Sequence, residues 1–364
     1  MYCNIRALLA SLLSALVSYQ ANAAFVSSKC VADTHIQQFT RASAAVTAKT
    51  DSNDILILDH LNINHEKGRH DLLKAFYFDF LKCAVDPRKE ENLATGRKTL
   101  WANIGSNQFH LPEGRPEAQV FAGEITLAYN DIQPLLSRVP EAERKLEGSK
   151  FQVSHAEDDN LLLVADPWGT KFCIKNNPDA VDARGSQDGE QSEGLSMTDL
   201  MVYVSSNANF AGISRFYEQI FGAEVHLHEK CVEVQVGPFQ TLTFKGCGDN
   251  GAVITHDDLV EEEGGVSNYG PHVSMYVADL RSSYKKADGL GVTYVNPRFK
   301  RQAYTMDEAI DQCMFRCIDI VDPDNPGAGS ILKLEHEVRS VVKRDGTKYK
   351  SCPFDSIPKV CVAY

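Results

Sequence analysis

The stretch that decides the fold is Gly270–Leu280, which reads GPHVSMYVADL. Val273, Met275 and Val277 alternate with other residues, and this is the period of a β-strand that buries one face. Asp279 is a residue type that caps helix N-termini, and RSSYKKADGLGV follows after Leu280. The stretch therefore predicts a strand that leads directly into a helix.

The same order of a strand, a helix and several further strands occurs four times. The four openings are the stretches 55–64, 123–132, 197–204 and 270–280. Glu124 and Asp131 are seven residues apart, and so are His272 and Asp279. A duplicated pair of modules is the simplest explanation of this repeat.

Composition limits the class of partner. The 364-residue chain is 43% hydrophobic and 24% charged, which is enough to form two domains with apolar cores. Its formal net charge of −12 argues against nucleic-acid binding, because such proteins cluster Lys and Arg against phosphates. We expect a small-molecule ligand, no nucleic acid, and no membrane after signal removal. The sequence predicts no particular oligomeric state.

Residues 1–24 are predicted to be a signal peptide. Arg6 supplies a positive charge, Ala7–Val17 is an apolar run too short to span a bilayer, and Ala21-Asn22-Ala23 is a small-residue cleavage signal. The expected route is the secretory pathway, to a secreted or lumenal location. Residues 25–54 are a presequence or linker with Ser, Thr and Ala. The alternative is import into a plastid through a bipartite presequence.

The remainder of the chain is predicted to form two domains. We place the first at 55–176 and the second at 196–340, joined by an acidic linker at 177–195 and followed by a C-terminal extension at 341–364. The linker is rich in Gly and Ser and has no hydrophobic periodicity, which is typical of an exposed connection.

The cysteines fit either compartment. Loss of Cys3 with the signal leaves an odd number, so at least one is unpaired in a monomer. In an oxidising compartment the first pairs to test are Cys231 with Cys247 and Cys352 with Cys361, because each pair flanks a short loop. In a reducing plastid none of them need form.

The sequence resembles the vicinal oxygen chelate superfamily, which includes glyoxalase I, bleomycin resistance proteins and extradiol dioxygenases. The resemblance is carried by HVSMYVADL, FYEQIFGAEV, NQFHLPEG and the Asp-Pro turns at Asp166 and Asp322, which precede KFCI and ILKLE. It implies an α+β fold in which four βαβββ modules pair into two cupped-sheet, glyoxalase-like domains, with helices outside and a ligand cavity inside.

Members of this superfamily that bind a metal carry its ligands on the first and last strands of each module. The matching positions in the first domain are His60, His110, Glu124 and Cys173. The resemblance implies a divalent metal there, such as Zn, Ni, Fe or Mn, with Glu124 as the residue that moves a proton. Phe109 and Phe172 alternate with these residues and should pack on helices. Gln108 shares the phase of His110 and is an alternative ligand.

The matching positions in the second domain are Asp199, Thr243, His272 and Lys333. An ammonium group has no lone pair, so the metal is expected in the first domain only. Two alternatives stay open: Glu335 acts as a shifted carboxylate ligand, or Lys333 replaces the metal, pairs with Asp199 and binds an anionic group. The other histidines, including His65, His70 and His336, are expected on the surface.

Three functions follow from the resemblance. The first is a metal-dependent lyase, isomerase or dioxygenase that acts on a small molecule with adjacent oxygens. The second is a non-catalytic small-molecule binding protein of the bleomycin-resistance kind. The third is an interaction protein that keeps only the fold.

Overall fold

The computed structural model describes residues 53–95, 99–113, 118–156, 158, 160–178, 191–247, 252–255, 261–262, 265–266 and 271–364. The predicted signal peptide at 1–24, nearly all of the presequence at 25–54 and most of the linker at 177–195 lie outside these residues. Of the helices in the described ranges, none is long and apolar enough to cross a membrane.

The first half of the chain contains two modules of four strands each. The strands of the first module are β1 (Ile55–Asn62), β2 (Ala84–Val85), β3 (Thr99–Ile104) and β4 (Asn107–Pro112). Its helices are α1 (His70–Leu73), the π-helix Lys74–Phe80 that continues it, a 3₁₀ turn at Pro87–Lys89, and α2 (Glu90–Thr95). The second module consists of β5 (Gly123–Tyr129), α3 (Gln133–Ser137), α4 (Val139–Lys145), β6 (Gln152–His155), β7 (Leu161–Ala165) and β8 (Lys171–Asn176).

The second half repeats this order. The third module consists of β9 (Gly194–Ser205), α5 (Phe210–Phe221), β10 (Val225–His228), β11 (Cys231–Gly237) and β12 (Gln240–Cys247). A short hairpin follows, with β13 (Glu261–Glu262) and β14 (Gly265–Val266). The fourth module consists of β15 (His272–Val277), α6 (Leu280–Gly289), β16 (Thr293–Tyr294), α7 (Met306–Gln312), β17 (Met314–Val321), a 3₁₀ turn at Pro326–Ala328 and β18 (Ser330–Ser340).

Two eight-stranded sheets combine these four modules. The first sheet has the order β16-β17-β18-β15-β1-β4-β3-β2, and the second has β10-β11-β12-β9-β5-β8-β7-β6. The predicted α+β class with four paired βαβββ modules is confirmed. The expectation that modules adjacent in sequence share a sheet is wrong, because the first module pairs with the fourth and the second with the third. The sheets therefore cut across the predicted division into 55–176 and 196–340.

The junction of the first sheet lies between the opening strands of its two modules. β1 and β15 run antiparallel, with Asn62 opposite His272, and each lies parallel to the last strand of its own module. The sequence cannot choose this pairing, because all four opening strands have the same apolar alternation and each offers the same kind of edge.

The apolar backs of both sheets pack on helices that lie between them. Tyr77 of the π-helix stacks at 5.3 Å from Phe109, and Phe76 lies 5.3 Å from Phe172 of the second sheet. In α5, Tyr217 lies 5.5 Å from Phe244. The expectation that Phe109 and Phe172 face helices is confirmed, and burial of these aromatic rings is a large part of the core.

Buried amides join the two sheets. Asn107 donates to the carbonyl of Leu58 at 2.5 Å and accepts from the backbone N–H of Met197 at 2.8 Å. Gln240 accepts from the N–H of Leu58 and donates to the carbonyl of Met197. Because both amides are buried, these bonds fix the position of β1 against β9.

The C-terminal extension packs along the first sheet. The N–H of Val362 donates to the carbonyl of Ala278, and the Tyr276 hydroxyl donates to the carbonyl of Ser351. Cys352 and Cys361, one of the expected pairs, are both thiols and pack on one apolar cluster. Burial first, and then Cys352, raises the pKa of Cys361 to about 11.

Candidate metal centre

Four equivalent positions of the first sheet face one another inside its cup. In the first module, His60 of β1 is paired with Gln108 of β4. His110 lies two residues further along β4, on the face that lines the cup. On the fourth module, His272 lies opposite Glu335, and the cup position on β18 is two residues on, at Glu337. The two modules therefore contribute His60 and His110 from one side and His272 and Glu337 from the other.

The same positions of the second sheet carry the other predicted residues. Glu124 lies opposite Lys171 with Cys173 two residues on, and Asp199 lies opposite Thr241 with Thr243 two residues on. The predicted set of His60, His110, Glu124 and Cys173 is thus divided between two sheets. The candidate centre joins both halves of the chain, whereas the sequence placed the metal in the first domain only; where a metal binds stays a prediction.

Contacts within the second sheet hold the side chains of Glu124 and Asp199. Tyr203 donates to Glu124, and the hydroxyls of Thr241 and Thr243 donate to Asp199 at 2.6 and 2.8 Å. Glu124, predicted to move a proton, therefore lies apart from His60 and His110. The predicted pair of Lys333 and Asp199 is wrong, because Lys333 is on β18 of the first sheet, opposite Asp319.

Glu337 is the residue that the sequence failed to identify. The alternative carboxylate, Glu335, is fully buried but accepts from Asn296 at 3.1 Å and from Arg316 at 2.5 Å. The signal for Glu337 was the alternation of Glu335, Glu337 and Arg339 along β18. These charged residues share a strand phase, which is unusual inside a fold unless they serve one site.

A β-bulge places a carboxylate directly behind His60. The register of β1 against β15 shifts between Leu58 and His60, so Asp59 is the extra residue of the strand. Its Oδ2 lies 2.8 Å from Nδ1 of His60. This contact keeps the proton on Nδ1 and leaves the lone pair on Nε2. Within the described residues, Nε2 is buried and has no hydrogen-bond partner.

His272 and Glu337 complete the closest group. The ligand atoms of His60, His272 and Glu337 all lie within 4.8 Å of one another, and Nε2 of His272 is 4.0 Å from Oε2 of Glu337. Burial lowers the pKa of His60 far below its usual range and that of His272 to about 4. Both imidazoles are therefore neutral at pH 7, as metal ligands must be.

Two buried arginines hold Glu337. Arg316 and Arg339 each pair with its carboxylate. Burial alone would raise the pKa of Glu337, but these two cations hold it well below its usual range. Burial raises the pKa of Asp59 to about 6, against the opposing effect of Arg339.

An aromatic stack supports the fourth position. The ring of His110 stacks on His60 at 3.6 Å and on Trp101 at 4.4 Å, and Nε2 of His110 contacts Gln108 Oε1 at 3.2 Å. The guanidinium of Arg88 lies 4.6 Å from the Trp101 ring. This stack fixes the plane of the His110 ring beside the group of three.

The cup encloses a cavity of about 370 Å³. Its lining combines the candidate ligands His110, His272 and Glu337 with a basic rim from several elements. The rim residues are Arg88, Arg298, Lys300, Arg301, Arg316 and Arg339. The volume suits a small molecule, and the rim favours an anion.

The donor set fits a divalent cation. Three carboxyl groups, those of Asp59, Glu335 and Glu337, are buried beside two guanidinium groups. Two imidazoles and one carboxylate are also a set that Zn²⁺ and similar ions accept with a position left open.

The chain is similar to several solved structures at low sequence identity. Glyoxalase I from Zea mays is 12% identical, with a TM-score of 0.42, covering 78% of this chain and 92% of that chain. The cppA protein from Streptococcus pneumoniae is 12% identical, with a TM-score of 0.41, covering 80% and 100%. The 2,2′,3-trihydroxybiphenyl 1,2-dioxygenase from Sphingomonas wittichii is 13% identical, with a TM-score of 0.26, covering 78% and 90%.

At these identities the similarity is one of fold, and it assigns no residue and no activity to this chain. No protein-family model matches the chain. No curated protein matches it either. The fold itself consists of βαβββ modules paired into two eight-stranded sheets, which is the arrangement that the resemblance in sequence implies.

Proposed function

We propose that this protein is a metal-dependent enzyme of the vicinal-oxygen-chelate type that acts on a small anionic molecule with two neighbouring oxygen atoms. His60, His272 and Glu337 hold the metal, and His110 occupies the fourth equivalent position. A divalent cation bound there polarises the two substrate oxygens as a Lewis acid.

One observation carries this proposal. Nε2 of His60 is buried and, among the described residues, lacks a hydrogen-bond partner, while Asp59 holds the proton on the opposite ring nitrogen. A buried polar nitrogen without a partner costs about 1–3 kcal/mol. A cation that accepts this lone pair removes the cost. His272 and Glu337 lie beside His60 and would supply two further ligand atoms.

The basic rim selects the charge of the substrate. Arg298, Lys300 and Arg301 belong to the loop between β16 and α7, and Arg88 reaches the cavity from the other module. A carboxylate, phosphate or phosphonate group would pair with such a rim. Phe299, between these cations in sequence, also lines the cavity and packs against the His272 ring at 5.5 Å.

The residues around the cup orient the candidate ligands, and we assign none of them the role of a general acid. Asp59 positions His60, and the stack of Trp101 on His110 positions that ring. Arg316 lies 4.1 Å over the Phe299 ring and also contacts Glu335. It therefore connects the rim to the metal ligands, and movement of this guanidinium toward a bound anion would remove one of the two arginine contacts of Glu337.

Metal analysis tests the proposal. The full chain is dialysed against micromolar Zn²⁺, then against buffer, and its zinc is measured per chain. We expect His60→Ala and Glu337→Gln each to lose one equivalent, whereas the exposed His155→Ala variant retains it. Unchanged zinc content in His60→Ala, with a normal circular dichroism spectrum, would refute the proposal.

A second function is favoured by the two arginines on Glu337. If Arg316 and Arg339 stay paired with the Glu337 carboxylate, this carboxylate does not bind a metal. The cup is then an anion receptor without a metal and without catalysis. The melting temperature in EDTA, measured with phosphate and with oxalate, separates the two functions. Stabilisation by these anions that is independent of metal supports the receptor, and stabilisation that requires Zn²⁺ supports the enzyme.

A further inference from the structure

A second group of metal-ligating side chains lies outside the cup. It consists of His65, His70 and Glu113, whose ligand atoms all lie within 4.8 Å of one another. The sequence suggested that His65 and His70 are surface residues, but only 1% of His65 is exposed and His70 is half-buried. The rings of the two histidines are 5.0 Å apart.

The backbone holds these residues in fixed positions. His65 and Glu113 form a parallel bridge that extends the pairing of β1 with β4, and the N–H of His65 donates to the carbonyl of Pro112 at 2.9 Å. His70 is the first residue of α1. The N–H of Gly68 donates to Oε1 of Glu113 at 2.8 Å, so the loop between the histidines folds over the carboxylate.

The ring nitrogens point to a ligand. In the described part of the chain, all four ring nitrogens of His65 and His70 are buried and make no hydrogen bond of normal geometry, although the carbonyls of Leu111 and Pro112 lie near the His65 ring. Two neighbouring imidazoles in this state are costly, because each buried polar atom without a partner loses its hydration. A cation that binds one nitrogen of each ring offsets this cost.

The surroundings exclude water on one side. The Trp168 ring lies 6.3 Å from the His65 ring, and its indole N–H donates to Glu66 at 3.1 Å. Burial lowers the pKa of His65 to about 4 and also lowers that of His70, so both rings are neutral at pH 7. Neutral imidazoles beside a carboxylate are ready to bind a metal.

We infer that His65, His70 and Glu113 form a second binding site for a transition-metal dication, of which Zn²⁺ is the best fit. Imidazole nitrogen with one carboxylate oxygen suits Zn²⁺, whereas Mg²⁺ and Ca²⁺ prefer oxygen donors alone. Tetrahedral coordination with Zn–ligand distances of about 2.1 Å requires donor separations of roughly 3.3 Å.

A metal at this site stabilises a part of the fold that a metal in the cup does not contact. It ties the β1–α1 loop to the end of β4, beside the β7–β8 turn that carries Trp168. It is independent of the cup, because it shares no residue with His60, His272 or Glu337.

The experiment isolates this site with a His60→Ala background. Zinc per chain and zinc affinity are measured for the full chain carrying His60→Ala, with and without His70→Ala. We expect about one tightly bound equivalent in the single variant and a loss of affinity of more than about 100-fold in the double variant, since even an outer partner of a ligand contributes about 10–100-fold. His60→Ala with the exposed His155→Ala serves as the matched control and should keep its zinc.

The two tryptophans provide a second readout. Trp168 lies near His65 and Trp101 stacks on His110, and the chain has no other tryptophan. In the Trp101→Phe variant, paramagnetic Co²⁺ should quench Trp168 fluorescence, and Glu113→Gln should weaken this quenching. Glu113→Gln hardly changes the side-chain volume, so it still tests the site if His70→Ala does not fold.

The outcomes separate this site from the cup. Zinc that disappears with His70→Ala but not with His60→Ala supports the second site even if the proposed function fails. Zinc that disappears only with His60→Ala, together with Trp168 quenching that Glu113→Gln leaves unchanged, overturns the second site and leaves the proposed function intact.

Discussion

Asp59 occupies the bulge of β1, and its carboxylate decides which nitrogen of His60 keeps the proton. We predict that Asp59→Asn weakens metal binding in the cup by about 10–100-fold, because the neutral amide no longer stabilises the Nδ1 proton as the metal withdraws charge. Zinc affinity should be measured in a His70→Ala background, so that only the cup contributes.

The control for this prediction is Asp79→Asn. Asp79 is exposed and pairs with Lys145 at 2.8 Å on the surface, and such pairs contribute little. Its variant should bind zinc as the parent does. Equal affinities for Asp59→Asn and Asp79→Asn would mean that Asp59 does not position His60.

At the scale of single residues, the sequence identified most of the cup positions. His60, His110 and His272 lie on the cup face because alternation along a strand fixes which side chains share a face, and their role as ligands stays a prediction. Glu337 was missed because ILKLE was matched to KFCI, which made Lys333 the counterpart of Cys173. Cys173 follows Asp166 by seven residues, whereas Glu337 follows Asp322 by fifteen. Part of the difference is the longer connection between β17 and β18, and the rest is the greater length of β18 before Glu337; no rule of composition reveals either length.

Strand β1 depends on Asn107, which joins it to β9. We predict that Asn107→Ala lowers the free energy of unfolding by about 2 kcal/mol, because the buried N–H of Met197 loses its acceptor. Chemical denaturation of both proteins measures this difference. The exposed Asn207→Ala should change stability by less than about 0.5 kcal/mol. An equally small effect of Asn107→Ala would show that the bonds of Asn107 do not contribute to the junction of the two sheets.

Strand β18 is fixed to α5 by a buried histidine. Nε2 of His336 lies 2.6 Å from the Tyr217 hydroxyl, and burial lowers the pKa of His336 to about 4. Between pH 6.5 and 4 the unfolded chain binds a proton at this residue and the folded chain does not, so its contribution to stability is lost as the pH falls. The full loss is about 3 kcal/mol for a shift of this size.

We therefore predict that His336→Gln loses less stability than the parent on acidification from pH 6.5 to 4.5. Asp59 and Asp166, whose pKa values burial raises to about 6, have the opposite slope in this range, but they act equally in both proteins. His155→Gln, at an exposed position, should follow the parent. Parallel curves for His336→Gln and the parent would exclude a titration of His336.

At the scale of the whole molecule, alternation and turn residues predict the strands and the modules but not their partners. The carboxylate and the histidines of one cup come from residues 277 positions apart, His60 and Glu337. All four opening strands present equivalent edges, so the pairing is decided by contacts that form only in the folded protein. Asn107 and Gln240 bond to Leu58 and Met197 in this arrangement, and these long-range contacts leave no local pattern.

The crossed pairing makes a prediction about halves of the chain. Residues 53–178 alone contain β1 without β15 and β5 without β9, and residues 191–364 lack the corresponding partners. We expect each half to aggregate or self-associate, because its strand edges and apolar faces are exposed. A mixture of the two should form a 1:1 complex that binds zinc in the cup, since His60 comes from one half and His272 and Glu337 from the other. Light scattering after size exclusion, with zinc analysis in a His70→Ala background, measures both properties. A monomeric, cooperatively folded fragment 53–178 would instead show that β1 can pair with β5, as the order of modules in the sequence suggests.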